Sequence, residues 1–169
     1  GETAQALVGR MQAGQDAYLK ALWENRAEGI VVNSQKEALI LASIVEKETG
    51  VSSERAIIAA VFQNRLKRGM RLQSDPTVIY GVTAGRALGR PISKADLKAD
   101  SVYNTYRISG LPPTPISNPG KAAIEAVLHP EKVPYLYFVA DGKGGHVFAN
   151  TLKQHNRNVR AWRRLRDSS

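Results

Sequence analysis

The sequence predicts an α+β fold: a helical hairpin and further helices packed around a small, mainly antiparallel sheet. Three observations predict it. Apolar residues recur at helical spacing over the first 70 residues and again near the end. A strand-turn-strand pattern lies between residues 134 and 149. Nowhere do strands and helices alternate in the manner of a parallel sheet.

Taken in order, residues 3 to 28 read as a helix, with Leu7, Met11, Tyr18 and Leu22 as its stripe and Gly29 as its end. A second helix begins at Ser34, which with Glu37 makes a capping box, and is expected to stop at a left-handed Gly50. Ser52 or Ser53 caps a third helix running to about Lys67, with Ile57, Ile58, Val61, Phe62 and Leu66 buried and Gly69 closing it. The tight turn between these two helices makes a helical hairpin. Residues 70 to 80 read as a strand, a turn at Asp75-Pro76, then a strand or short helix. Residues 81 to 90 are glycine-punctuated and are expected to form a flexible loop. Ser93 caps a short helix to Asp100. A proline-rich track follows Leu111. Asn118 then caps a helix with Pro119 at its first position, ending at His129-Pro130. Residues 134–140, the turn Asp141-Gly-Lys-Gly-Gly145 and residues 146–149 form a hairpin. Thr151 caps a final basic helix.

A chain of 169 residues, 43% of them hydrophobic, suits one domain, 1–169, in which 1–33 is a leading helical segment. No run reaches the ~18 apolar residues that span a bilayer. The absence of cysteine excludes disulfides and thiolate metal sites. Lysine and arginine outnumber acidic residues 24 to 15, a net charge of +9, which favours an anionic partner. Much of the excess lies in Lys153, Arg157, Arg160, Arg163, Arg164 and Arg166 of the last helix.

The second helix carries the candidate acid. At ~100° per residue, Glu48 projects within roughly 20° of the centre of the face formed by Leu39, Ile40, Leu41, Ile44 and Val45, and Glu46 points almost the opposite way. A carboxyl pressed against apolar surroundings keeps its proton to higher pH and can donate it. The alternative readings are a last-turn side chain in solvent, or a partner for Arg55, Arg65 or Arg71.

Other chemistries find little support. There is no cysteine nucleophile and no serine elbow. His129, His146 and His155 are scattered and show no metal-ligand spacing, so neither a metal nor a cofactor is expected. What remains around Glu48 is a polar and aromatic set on loops and element ends: Gln73, Asp75, Tyr80, Tyr103, Asn104, Tyr106, Asn118, His146 and Asn150. Amides, hydroxyls and ring faces of this kind match the hydroxyl, acetamido and C–H surfaces of sugars. Among them, Gln73, Asp75, Tyr80, Asn104, Tyr106, His146 and Asn150 are the expected substrate-binding residues. Asp75 is the best candidate for a second carboxylate of the kind glycosidases pair. The lack of a clearer one points to a single-carboxylate mechanism, in which the acid protonates the leaving oxygen and then takes a proton from a hydroxyl of the substrate itself.

Four segments occur together: Ala42-Ser-Ile-Val-Glu-Lys-Glu-Thr49, Asn64-Arg-Leu-Lys-Arg-Gly-Met-Arg-Leu-Gln-Ser-Asp-Pro-Thr-Val-Ile-Tyr-Gly81, Tyr103-Asn-Thr-Tyr-Arg-Ile-Ser-Gly-Leu-Pro-Pro113 and Tyr135-Leu-Tyr-Phe-Val-Ala-Asp-Gly-Lys-Gly-Gly-His-Val-Phe148. In this order and spacing the chain, from about Gln35 onward, resembles the endolytic murein transglycosylase (MltG or YceG-like) family. The resemblance implies a lysozyme-like cleft with Glu48, the second glutamate of Glu-x-Glu, as catalytic acid. It implies cleavage of the MurNAc–GlcNAc β-1,4 bond within peptidoglycan strands, leaving 1,6-anhydro-MurNAc ends and terminating nascent strands. It further implies a place at the periplasmic face of the inner membrane, with peptidoglycan synthases as neighbours and an anionic membrane surface nearby. The family's N-terminal membrane helix and LysM-like region are not matched here, so the chain is expected to be an isolated catalytic domain. Family members often carry glycine after Leu-Pro-Pro, where Thr114 stands here. The alternatives are a muramidase-type hydrolase that uses water and, on charge alone, a nucleic-acid-binding module. The latter lacks any helix-turn-helix, RRM or zinc signature, and no nucleic acid is expected as partner.

Overall fold

Phe62 is the largest fully buried side chain, and the fold is arranged around it. The computed structural model describes residues 3–167. Its elements are α1 (Ala4–Glu24), α2 (Gln35–Glu48), α3 (Arg55–Lys67), α4 (Asp75–Thr83), α5 (Lys94–Lys98), α6 (Lys121–Leu128), β1 (Tyr137–Ala140), β2 (His146–Ala149) and α7 (Leu152–Asp167), with one turn of 3₁₀-helix at Ser52–Glu54. Helices α2, α3 and α6 pack mutually. Leu41, Ile44 and Val45 of α2, Ile58 and Phe62 of α3, and Ile124, Val127 and Leu128 of α6 belong to one core cluster. Helix α1 lies on α6 and α2 and adds Leu19. The described sheet is the antiparallel hairpin β1–β2, in which Phe138 pairs with Phe148 and Ala140 with His146. It rests on α3, with Phe138 edge-on to Phe62 at 5.8 Å, and α7 covers it.

The predicted helical hairpin, the short α5 with its Ser93–Asp96 capping box, the β-hairpin and the Thr151-capped last helix are all present. Several boundaries differ from expectation, each for a local reason. Helix α1 ends at Glu24, where Asn25 takes up the carbonyls of Leu22 and Trp23, and Gly29 serves a later turn at φ 74. The side chains of Leu7 and Met11 lie outside the described residues. Ser34 accepts from the Glu37 N–H as expected, but the Glu37 carboxylate returns to the N–H of Asn33 instead of Ser34. Helix α2 is stopped by an extended Thr49, whose hydroxyl accepts from Val51 N, and not by a left-handed Gly50. Neither Ser52 nor Ser53 caps α3, because the 3₁₀ turn leads directly into it.

Two larger corrections concern loops. Residues 70–74 are not a strand. Pro76 sits in the first turn of α4, which extends through Gly81 to Thr83, so the expected loop at 81 starts only at Ala84. Asn118 is not the cap of α6, which starts later with Gly120 at the cap, its N–H donated to Glu46. Long-range side-chain bonds hold other connecting segments in place of a sheet ladder. Buried Gln63 accepts from Val31 N and donates to Val127 O. Asn64 donates to the carbonyls of Val133 and Tyr135, tying the approach to β1 onto α3.

Truncation of Phe62 removes a core ring against which Phe138 of the hairpin packs edge-on. Phe62→Ala is expected to lower unfolding free energy by about 3–5 kcal/mol, the range for a buried aromatic left as a cavity, read from the urea midpoint at unchanged m-value.

Candidate active site

The α2–α3 elbow, the loop before α4, the Tyr106 loop, β1 and the first turns of α7 converge on a cleft of about 450 Å³. Glu48, Arg65, Gln73, Asp75, Tyr106, Tyr137, Phe138, His155 and Asn156 line it. Glu48 is the last residue of α2. Because Ile44 and Val45 on the same side are fully buried, its carboxyl emerges from the core into the cleft. Glu46 faces the other way and accepts from Gly120 N. No ion pair among the described residues includes Glu48, so the arginine-partner reading does not hold.

The Glu48 carboxyl is pushed up to about 7. Burial is the main cause, the Ser74 hydroxyl works against it, and the nearby negative charge of Asp75 adds to the rise. Ser74 Oγ donates to Glu48 Oε1 at 2.5 Å. The backbone that carries this hydroxyl is fixed by a buried network. Ser74 N donates to Thr105 Oγ1, Thr77 Oγ1 donates to Ser74 O, and Thr77 and Thr105 share a hydroxyl bond of 2.7 Å. All three residues are essentially inaccessible. A group at about 7 exists in both protonation states near neutrality, which suits an acid that must later act as a base.

The predicted site residues divide into two groups. Gln73, Asp75 and Tyr106 line the cleft with Glu48. Gln73 has a left-handed backbone, φ 54, an unfavourable conformation for a residue with a Cβ. It is kept there by its N–H to Thr105 O and by Arg65 Nη2 donating to its side-chain oxygen at 2.8 Å. Tyr106 donates its hydroxyl to Asp75 Oδ1 at 2.6 Å. Burial, then Asp75, holds its pKa well above the ordinary tyrosine value, so it stays a neutral donor.

The other four do not line the cleft. Tyr80 packs on Tyr103, ring centroids 4.7 Å apart, and borders a separate hollow with Lys47, Pro76 and Ile79. Asn104 is buried, and both ends of its amide are used: it donates to the carbonyls of Leu97 and Ala99 and accepts from Tyr106 N. It shapes the Tyr106 loop and leaves nothing for a sugar. His146 is clamped by Glu54, which accepts from its backbone N–H at 2.9 Å and meets its Nδ1 at 2.7 Å. A Cβ on the preceding Gly145 would sit 2.8 Å from the same carboxylate and would displace it. The imidazole then stands edge-on behind Phe138, a cleft residue. Asn150 is exposed on the bend between β2 and α7. Thr114, at the position where glycine is common in the resembling family, bonds Tyr103 through its hydroxyl.

The cleft also holds residues that sequence reasoning did not single out for it. Arg65 is buried with a fork spread over Arg71 O, Leu136 O and Gln73, and its guanidinium lies 5.4 Å from the centre of the Tyr137 ring. Tyr137 stacks on His155 at 5.1 Å. Burial and Arg65 lower the pKa of His155, so its ring is neutral, and its buried Nδ1 has no hydrogen-bond partner. His155, Val159 and Trp162 follow helical spacing on α7, a signal that could have placed His155 on the inner side. Nothing in the sequence identified Ser74.

Comparison with known proteins agrees with this architecture. The sequence profile of the YceG-like family matches residues 1–161. The chain is 42% identical over 153 residues to the protein named endolytic murein transglycosylase of Bacillus subtilis (strain 168), aligning 90% of this chain with 40% of that one. It is 40% identical over 164 residues to the protein of the same name from Streptococcus pneumoniae serotype 2 (strain D39 / NCTC 7466), covering 93% of this chain and 29% of that one. The crystal structure of a YceG-like protein from Listeria monocytogenes matches with a TM-score of 0.67 and 46% identity, over 73% of this chain and 39% of that chain. The chain thus spans two fifths or less of each of these relatives. The profile match takes in every element that builds the cleft, from α2 to the body of α7, and the chain belongs to the YceG-like family.

Proposed function

We propose that this chain is the catalytic domain of an endolytic lytic transglycosylase that cleaves the MurNAc–GlcNAc β-1,4 bond within peptidoglycan strands. The observation that carries the reading is Glu48: a carboxyl at the cleft with its pKa near 7, hydrogen-bonded by a buried serine and in no ion pair among the described residues. The relatives' name, endolytic murein transglycosylase, supports it. Protonated Glu48 gives its proton to the glycosidic oxygen as the bond from C1 of MurNAc to that oxygen breaks, and the GlcNAc side leaves as an alcohol. The 6-hydroxyl oxygen of the same MurNAc then bonds to C1 and its proton passes to the Glu48 carboxylate. This restores the acid and leaves a 1,6-anhydro end without consuming water. Ser74 holds the carboxyl in place through both steps. Tyr106, Gln73 and Asp75 offer polar groups to the sugars, and Tyr137 and Phe138 supply ring surface.

The reading extends to termination of nascent strands at the periplasmic face of the inner membrane, beside peptidoglycan synthases and an anionic membrane surface. It names no cofactor. Asp75 shares the cleft and favours one second reading, a muramidase-type hydrolase in which Asp75 would assist a water. The two differ in product, since an anhydro end is lighter than a reducing end by one water.

Mass spectrometry of fragments released from murein is expected to find anhydro ends; reducing ends alone would favour the hydrolase. Glu48→Gln is expected to lower kcat by roughly 10²–10⁴-fold, the usual worth of a general acid, with Glu46→Gln near wild type. Full activity in Glu48→Gln would end the proposal.

Because the proton donor must be protonated, activity is expected to fall as pH rises through about 7. The Ser74 hydrogen bond lowers the Glu48 pKa, so Ser74→Ala should move that descending limb to higher pH in a kcat–pH profile. A shift to lower pH would contradict the assigned role.

Stability should fall with rising pH as activity does, but Glu48→Gln should change the two in opposite directions. The folded pKa of Glu48 lies above its unfolded value, 4.5 rising to about 7, so between these values the folded state binds more protons and stability falls as pH rises. Below 4.5 both states are protonated and no penalty remains. Glu48→Gln is therefore expected to be more stable than wild type by about 1–3 kcal/mol at pH 8, and equal to it at pH 4, in parallel urea titrations.

A further inference from the structure

Helix α7 carries a second surface that the cleft chemistry does not use. Lys153, Arg157, Arg160 and Arg164 recur at i, i+4, i+7 and i+11, so at ~100° per residue they fall in a sector of about 60°. All four are exposed. The partly buried side chains of the helix, Gln154, His155, Asn158, Val159 and Trp162, lie on the opposite sector and face the hairpin. None of the ion pairs among the described residues reaches the row. Arg164 donates its Nε to the carbonyl of Arg160. Arg166, off the row, is neutralised by Asp167 and lies over Trp162.

Like charges three and four residues apart destabilise a helix, and here three such pairs stand in succession. The row is about 16 Å long. It begins at the cleft: Leu152 and Asn156 line the cleft, and Lys153 and Arg157 follow each of them in the chain. A helix that lies in a bilayer surface needs apolar residues beside its cations to insert. Here the exposed Leu152 and Leu165 lie on either side of the row, about 100° from its centre, and Trp162 is turned inward. The surface suits a hydrated polyanion that continues out of the cleft.

We propose that this row is a track for the stem-peptide carboxylates of the glycan strand as it leaves the cleft, increasing retention of peptide-bearing strands. The proposal rests on the assignment of peptidoglycan to the cleft. It needs no new chemistry, only exchange of small counterions for the carboxylates of the strand, so its strength falls with salt.

The test is co-sedimentation of the chain with murein sacculi, native or with their carboxylates converted to amides by carbodiimide and excess ammonia. Wild type is compared with the fourfold variant Lys153→Gln, Arg157→Gln, Arg160→Gln, Arg164→Gln, whose folding is checked by circular dichroism. Released ends are counted in parallel. On native sacculi at low salt the variant is expected to bind roughly 5–10-fold more weakly, with a shallower salt dependence. On amidated sacculi the two proteins should be indistinguishable. Equal binding to native sacculi, or the same loss on amidated sacculi, would overturn the track. So would row-dependent binding to anionic lipid vesicles without any to sacculi. Carboxylate-dependent binding by a wild type that releases no ends would instead count against the enzymatic reading alone.

Discussion

One carboxyl and one hydroxyl set the conditions for the rest of the molecule. Burial of Glu48 at the end of α2 disfavours its charge, and the Ser74 hydrogen bond favours it. Burial is the larger effect, so the acid stays protonated towards neutrality, while the hydrogen bond keeps the ionised form accessible. Either influence alone would give a carboxyl useful in only one direction. The balance depends on Ser74 being immobile, and its backbone N–H and carbonyl are tied into a dry network with Thr77 and Thr105.

The scaffold solves a second problem: a cleft wall built from loops has backbone groups with no regular partners. Here side chains supply them. Arg65 and Asn64 of α3 take carbonyls at Arg71, Val133, Tyr135 and Leu136. Asn104 gathers those of α5 and its exit. Glu54 fixes the tip of the β-hairpin through His146. Several residue types common in sugar sites are therefore spent on architecture, while Gln73, Asp75 and Tyr106 line the cleft. The left-handed Gln73 is the strained point of this arrangement, over-determined by Arg65 and Thr105.

Helix α7 joins the two sides of the molecule's chemistry. Its inner face completes the cleft with His155 and Asn156, and its outer face concentrates cations. Burial first, and then the charge of the same Arg65 that holds Gln73, lowers the pKa of His155.

What the sequence determined by itself was periodicity and its consequences. The apolar face of α2 and its extension through Glu48, the helical hairpin, the β-hairpin around its glycine turn and the cationic face of α7 all follow from local spacing, because helix and strand periods project residues in fixed directions. Tertiary structure alone decided which polar residues converge. Gln73, Asp75 and Tyr106 resembled Tyr80, Asn104, His146 and Asn150 in type and in loop placement, and only the path of the chain sent the first three to the cleft and the others elsewhere. The same holds for Ser74, whose partner Glu48 is 26 residues away. It also explains the misread strand at 70–74 and the misplaced cap at Asn118. Those segments are shaped by bonds from distant side chains, and a bond across the fold leaves no period in the sequence.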